Sequence, residues 1–369
     1  MKLTTLKKEL LSALQKAKRV TIKNTAVDIL SQFQITAQDN WIKIKATDLE
    51  NFLTIYAKAI VEKEDTFLVN AETLTNVIKN IKGNLIVLET QETEEENLLI
   101  VKGENQTFAI PIEKDEEKYL KFPQIVANMQ IPSLEIAKAT RKVEHAIAKE
   151  DPRPALESLY INSLENQTHF VASDGNRLSL YTSNIPFPSN ILIPKKSLKI
   201  IQSLTEHFTG YLQVGIDDDF AHFVGKNFSL SIRIPTYDYP DYLAVIPENF
   251  NYEIEVRKQE LLQSLKALVS VAKTPRLPIK LSFFENMAKI QMKDSDVGVA
   301  ENTISAKITK GNDMPIEIGF NAQYLIEALE SIESRKVKIK VIDHENPVAI
   351  EPENTKEEPY FSLIMPMRV

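Results

Sequence analysis

Three stretches of the chain follow one plan. FLVNAETLTNVIKNIKGNLIVLE (67–89), ILIPKKSLKIIQSLTEHFTGYLQVGID (191–217) and IEIGFNAQYLIEALESIESRKVKIKVID (316–343) each read as strand, short polar turn, amphipathic helix and strand. They recur at a spacing of roughly 125 residues, which marks internal repetition. Asn70 and Asn321 stand where a helix N-cap belongs, with a side-chain oxygen for an orphan helix N–H. A second helix recurs at a similar spacing: residues 3–20, 132–149 and 256–273. In the first of these Leu6, Leu10, Leu14 and Ala17 share one face at helical spacing. Hairpins with Asp-rich turns (IKIKATDLENFLTIY, FVASDGNRLSLY, KIQMKDSDVGV) repeat more loosely. Alternating strands (QTFAIPIEK, FSLSIRIPTY, YFSLIMPMR) close each repeat.

The plan predicts an α+β chain of three similar modules, each with two helices and antiparallel strands. The loops FPQIVANMQIPS (122–133) and IPENFNYEI (246–254) divide it into modules 1–126, 127–251 and 252–369. A length of 369 residues suits several cores, since single cores stop growing near about 250–300 residues. Acidic stretches such as ETEEEN (92–97) and EKDEEK (113–118) read as solvated hairpin caps or connections. The absence of cysteine excludes disulfides, thiolate metal sites and cysteine nucleophiles, and fits a reducing compartment. No signal-like segment or long apolar run is present, so a cytoplasmic protein without membrane contact is expected.

The ending FSLIMPMRV combines an apolar strand with Pro366, which lacks an N–H and suits a strand end or edge. The strand is expected to stop near Ile364, with Met365 to Val369 lying over the surface. A docked tail and the wall of a binding groove are both open readings of these residues.

Charge is unevenly spread. The six repeated helices carry net charges of +4, +1, +2, +2, +3 and −3 in chain order, so they sum to +9 in a chain of −7. The last helix, with Glu327, Glu330 and Glu333, is the exception; Arg335, Lys336, Lys338 and Lys340 follow it. Gathered on one surface, such helices could face phosphates without reading sequence. Few aromatics lie among the lysines, so stacking on single strands is not indicated.

Catalytic chemistry finds little support. Histidines 145, 169, 207, 222 and 344 have no metal-type spacing. Asp217, Asp218 and Asp219 are the only candidate carboxylate cluster for a metal-dependent nucleic-acid enzyme, but their place between LQVGI and FAHFVG reads as a hairpin turn. Gly210 and Gly215 begin a phosphate-loop spacing that Ile216 and Asp217 break. Ser173, Asp174 and Arg177 could suggest a hydrolase, yet no histidine has a sequence reason to be near. No enzyme, metal or cofactor is expected.

DPRPALESLYI (151–161), VASDGNRLSLY (171–181), YPDYLAVIP (239–247) and LIMPMRV (363–369) together resemble the bacterial sliding clamp, the beta subunit of the replicative DNA polymerase. Their order, their spacing and the total length match as well. The resemblance implies a DNA-clamp fold in a head-to-tail homodimeric ring, with helices lining the hole and sheets at the rim. It implies as partners duplex DNA, a second copy, and the polymerase, clamp loader and repair proteins carrying a short linear motif. That motif would enter a groove formed by Leu156, Ser173, Gly175, Asn176, Arg177, Leu178, Pro240, Val245, Leu363, Met365, Pro366, Met367 and Arg368.

With helices around the hole, the cations expected to face DNA are Lys7, Lys8, Lys16, Lys18, Arg19, Lys23, Lys79, Lys138, Arg141, Lys142, Lys149, Arg153, Lys195, Lys196, Lys199, Lys258, Lys266 and Lys273. Phe108 and Ile110 would meet Leu268 and Val269 across the dimer contact. Leu243 and Ala244 stand where the family commonly has basic residues at the groove, Glu345 and Pro347 occupy rim positions of varied chemistry, and segment 21–35 lacks the proline-bearing stretch usual there. These departures leave open a divergent clamp that serves as a scaffold or regulator for another partner.

Overall fold

Two of the helices are capped at their start by an asparagine side chain. Asn70 Oδ1 accepts from Thr73 N at 2.9 Å, and Asn321 Oδ1 accepts from Gln323 N at 3.0 Å. The helices are α1 (Lys7–Ala17), α2 (Ala71–Asn80), α3 (Ser133–Val143), α4 (Lys195–Thr205), α5 (Lys258–Val271) and α6 (Ala322–Glu330). The structure is a computed structural model and describes residues 1–206, 208–271, 278–294, 298–311 and 315–368.

The helices of 3–20, 132–149 and 256–273 start later than their periodicity suggests, because a strand precedes each: Lys2–Leu6, Met129–Pro132 and Tyr252–Arg257. Thr4 and Thr5 are β-branched, and they pair with Val87 and Ile86 respectively. Leu6 therefore ends a strand and is 48% exposed, while Leu10, Ala13, Leu14 and Ala17 form the buried face of α1. The three helices then share a contact. Lys7 Nζ donates to the carbonyl of Ile81, Ser133 Oγ to that of Phe208, and Lys258 Nζ to that of Ile332. Each acceptor lies just past the other helix of its repeat, where carbonyls lack intrahelical partners.

The chain forms two compact units that do not coincide with single repeats. The first is residues 1–134 and 196–234; the second is 135–195 and 235–369. The first unit carries a 13-stranded sheet and the second a 12-stranded sheet. The middle repeat is divided between them. Its strands Tyr211–Ile216, Phe220–Gly225 and Phe228–Arg233 belong to the first sheet. Its strands Ser158–Ser163, Thr168–Ser173, Arg177–Ser183 and Ile191–Pro194 belong to the second.

In the first unit, Phe228–Arg233 runs antiparallel to Asn51–Lys58, with Phe228 opposite Ile55. Leu10, Leu14, Phe33, Ile35, Leu53, Phe67 and Ile78 are among its fully buried side chains. In the second, Tyr360–Ile364 runs antiparallel to Arg177–Ser183, with Leu363 opposite Leu178. Its main core includes Leu261, Leu265, Phe283, Phe320, Leu325, Leu329, Ile339 and Tyr360. As expected, the last strand stops at Ile364, and ETEEEN joins two paired strands, Leu85–Glu92 and Asn97–Lys102.

The first unit also contains an acid-sensitive cluster. Asp65 Oδ2 accepts from Lys114 Nζ and from Thr90 Oγ1, each at 2.7 Å. Burial works against the Asp65 charge, but bonds from Lys114, Thr90 and the Met1 amino group outweigh it and hold the carboxyl at about 2, below its ordinary 3.8. A carboxylate depressed on folding stabilises the native state above its unfolded value, and the contribution is lost as pH falls through the folded one. Urea unfolding of the native chain and Asp65→Asn should show a constant stability gap above pH 3.8 that closes toward pH 2. A gap independent of pH would refute this assignment.

Candidate partner-binding groove

A cavity of about 350 Å³ opens in the second unit, and a tight turn builds one side of it. Between strands Thr168–Ser173 and Arg177–Ser183, Asp174 Oδ1 accepts from the N–H groups of Asn176 (3.0 Å) and Arg177 (3.1 Å). Ser173 Oγ accepts from Gly175 N and donates to the Arg177 carbonyl. Gly175 has φ +83, a backbone conformation that strains an L side chain, and the mobile tip of Arg153 lies 2.5 Å from where a Cβ would stand.

Arg177 fixes the turn from behind. Its guanidinium donates to Asp174 (3.0 Å), to Glu327 and to the His145 carbonyl, and lies 4.2 Å over the Tyr324 ring. A histidine thus does stand beside this turn, although its sequence position gave no reason to expect it. Burial, with Arg177 adding to it, lowers the His145 pKa to about 4. The neutral imidazole meets Ser179 Oγ at 3.0 Å and Ser331 Oγ at 3.2 Å.

The floor is apolar. Leu178 and Leu363 face each other across the strand pair and pack with Val171, Leu180, Tyr242 and Ala349. Leu156 enters from the turn Pro154–Glu157. Tyr239 stacks on Tyr160 with centroids 4.8 Å apart, and burial pushes its hydroxyl far above the usual range, so it stays neutral. The Tyr242 hydroxyl is held by Asn162 Nδ2 (2.8 Å) and His169 Nδ1 (2.7 Å). Pro240, Asp241, Val245, Pro347 and Met365 complete the lining, with Met365 42% exposed. The tail is tied down by its backbone: Met365 N donates to Asn176 O and Met367 N to Gly319 O, each at 2.8 Å.

Ten of the thirteen residues expected at a groove therefore meet here. The other three, Pro366, Met367 and Arg368, line a wider neighbouring depression of about 1190 Å³ with Gly319, His344 and Glu345. Arg153, Tyr239, Asp241, Tyr242 and Pro347 join the lining beyond that set. Tyr239, Asp241 and Tyr242 lie in the YPDYL segment, so its other members were the available signal. Leu243 and Ala244 lie outside the lining, with their N–H groups directed to Asp241 Oδ1.

Several cations expected to face DNA are engaged elsewhere. Lys142 is buried against Glu358 and the Ser331 carbonyl, where no phosphate reaches. Arg153 lines the groove and pairs with Asp151 at 2.9 Å. Lys7 and Lys258 are directed to the helix-end carbonyls described above, and Lys195 donates to Ile147 O at 2.8 Å. Lys196 pairs with the buried Asp48 carboxylate. Lys18 and Lys23 lie 2.9 and 3.9 Å from Glu72, and Lys266 lies 2.6 Å from Glu330. Lys16 is half-buried, and Lys138 lies 5.7 Å over the Tyr181 ring. Lys8, Arg19, Lys79, Arg141, Lys149 and Lys199 are exposed and have no ion pair among the described residues. Lys273 and His207 lie outside the described residues.

Ile110 and Leu268 are buried within the chain, whereas Phe108 and Val269 are half-buried. Asp217 caps the hairpin turn as expected, accepting from Asp219 N and Phe220 N. Its other oxygen meets His222 Nε2 at 2.9 Å, and His222 Nδ1 meets Ser231 Oγ at 2.8 Å. This has the composition of a hydrolytic triad, but Ser231 and His222 are buried, so the serine is closed to a substrate. Among the described residues no group of three His, Cys, Asp or Glu side chains could hold a metal, and no helix is long and apolar enough to cross a membrane.

Repeated helix pairs, sheets joined through closing strands and an apolar groove beneath the C-terminal tail define a DNA-clamp fold. Comparison with known proteins agrees. The chain matches the DNA polymerase III beta subunit profiles: N-terminal domain over residues 1–121, central domain over 130–241 and C-terminal domain over 243–368. It is 24% identical to the beta sliding clamp of Bacillus subtilis over the whole of both chains. It is 24% identical to that of Streptococcus pneumoniae over 97% of each. The crystal structure of the Bacillus subtilis clamp superposes with a TM-score of 0.91 at 22% identity, covering 100% of this chain and 99% of that one. The Bartonella birtlesii clamp, solved bound to griselimycin, gives 0.91 at 22% identity over the whole of both chains. The chain belongs to the DNA polymerase III beta subunit family, the bacterial sliding clamps that act as accessory processivity factors of the polymerase. The names of these relatives favour a clamp over a divergent scaffold.

Proposed function

We propose that two copies of this chain close head to tail around duplex DNA and tether the polymerase, the clamp loader and other motif-bearing proteins through the groove. The observation that carries the ring is a repeated sheet junction with one member unpaired. The middle repeat's closing strand pairs with Asn51–Lys58, and the last repeat's closing strand pairs with Arg177–Ser183. The first repeat's closing strand is Thr107–Glu113. On its outer side only Ile112 and Glu113 have strand partners among the described residues. The segment in step with Asn51 and Arg177 begins at Gly298, and its residues 298–302 pair on one side only among the described residues. Joining 107–111 of one copy to 298–302 of the other repeats the junction and covers both edges. Phe108 and Val269 have side-chain surface to spare for this contact.

The modules of this reading are 1–126, 127–251 and 252–369. The exposed helical cations Lys8, Arg19, Lys79, Arg141, Lys149 and Lys199 supply loose phosphate attraction, and topology supplies retention, so sliding requires no base contact. Replication is the work of the bacterial cytoplasm, which is where we place the protein. The groove suits a short extended peptide, because a few buried apolar anchors carry most of such affinity and methionine adapts to several of them.

Retention on DNA tests the ring. Loaded onto closed circular duplex by its clamp loader, the protein should stay bound through gel filtration and be lost once a restriction enzyme makes the circle linear. Equal retention on both forms would falsify topological binding.

A further inference from the structure

The groove has a counterpart in the first unit. Arg177 lies opposite Ile364 and Leu178 opposite Leu363; Asn51 lies opposite Ile232 and Phe52 opposite Ser231. Both strands follow an Asp turn, at Asp174 and at Asp48, and Gly175 and Leu49 hold matching positive φ angles of 83° and 73°. The next strand keeps step, since Val348 pairs with Ile364 and Ala221 with Ile232. Pro347 therefore corresponds to Phe220 and Met365 to Arg233, and Phe122-Pro123 follows the first repeat's closing strand as Tyr239-Pro240 follows the middle one's.

The space differs. Where the groove has Leu178 and Pro347, the counterpart has two phenyl groups, and these meet a third. Phe52 packs edge-on against Phe122 with centroids 5.4 Å apart, and against Phe220 at 5.6 Å. Lys45 Nζ lies 4.7 Å over Phe122 and the Arg233 guanidinium 4.9 Å over Phe220, so the outer faces are covered too. Phe52 is only 9% exposed. Edge-to-face rings under cations form a stable, closed arrangement. We infer that Phe52, Phe122 and Phe220 are a built-in plug: they fill with the chain's own side chains the position that the groove keeps open, so each copy takes one partner peptide and not two. The inference rests on reading the groove as a peptide site.

The experiment titrates a clamp-binding peptide of the Gln-Leu-x-Leu-Phe type into three forms of the full chain by calorimetry. The unaltered chain should bind one peptide per copy. Phe52→Leu with Phe220→Ala should open the counterpart and bind two. Leu178→Phe brings the plug residue into the groove and should weaken binding by about 30-fold or more, the loss expected for a blocked anchor pocket. A folded Phe52→Leu/Phe220→Ala chain that still binds one peptide overturns the plug. If that chain does not fold, Leu178→Phe decides: strong loss supports the plug and unchanged affinity overturns it. No binding by the unaltered chain sinks the groove reading and the plug with it, whereas one peptide bound by every form sinks the plug alone.

Discussion

A chain ended after Ile364 is expected to lose binding of a clamp-binding peptide by about 100-fold or more, because several anchor contacts vanish together. Met365 contributes a groove wall, and its N–H holds the tail to Asn176. Met367 repeats the tie at Gly319. Stability should change by only about 2 kcal/mol, since each of the two backbone bonds lost is worth about 1 kcal/mol and neither methionine is buried. Fluorescence anisotropy with a labelled peptide, read beside a thermal melt, separates the two effects. Undiminished affinity in the shortened chain would mean that the tail is only docked over the surface.

Replacing Lys142 should cost more stability than any surface change. Its ammonium and the Glu358 carboxylate have side chains 5% and 7% exposed. Burial opposes the Glu358 charge, but Lys142 and the N–H groups of Glu333 and Ser334 hold its carboxyl below the usual range. Lys142→Met strands that charge, which should destabilise by about 3–5 kcal/mol. Adding Glu358→Gln removes the stranded charge and should restore part of the loss, but not all of it, because the N–H groups of Glu333 and Ser334 go to different carboxylate oxygens and an amide keeps only one acceptor. Urea titrations of the single and double variants measure this directly. A single variant within about 1 kcal/mol of the native chain would show the pair to be no more than a surface bridge.

Repetition made most of the architecture legible. The three strand–helix–strand stretches, the Asn70 and Asn321 caps and the strand end at Ile364 follow from periodicity and local chemistry alone. The strand Lys2–Leu6 was hidden, because alternation over so few residues merges into the helical pattern behind it. Ten groove residues were legible only through a resemblance carried by four short segments. What joins distant segments was not legible. Lys142 and Glu358 are 216 positions apart, and Arg177 and Glu327 are 150 apart, so neither pairing leaves a trace in local pattern. Arg153, Lys142, Lys7 and Lys258 were assigned by charge, and charge alone does not say whether a lysine points to solvent, a carbonyl or a buried carboxylate.

The division of the middle repeat bears on how the chain can be cut. A piece ending at residue 126 lacks Phe228–Arg233 and leaves the edge of Asn51–Lys58 bare, an invitation to self-association. A piece beginning at 252 lacks Arg177–Ser183 and leaves Tyr360–Ile364 without that neighbour. The shortest uninterrupted pieces that contain a whole unit are 1–234 and 135–369, and they overlap throughout 135–234. The repeats that sequence marks as units of inheritance are thus not units of dissection, and the middle one belongs to both halves.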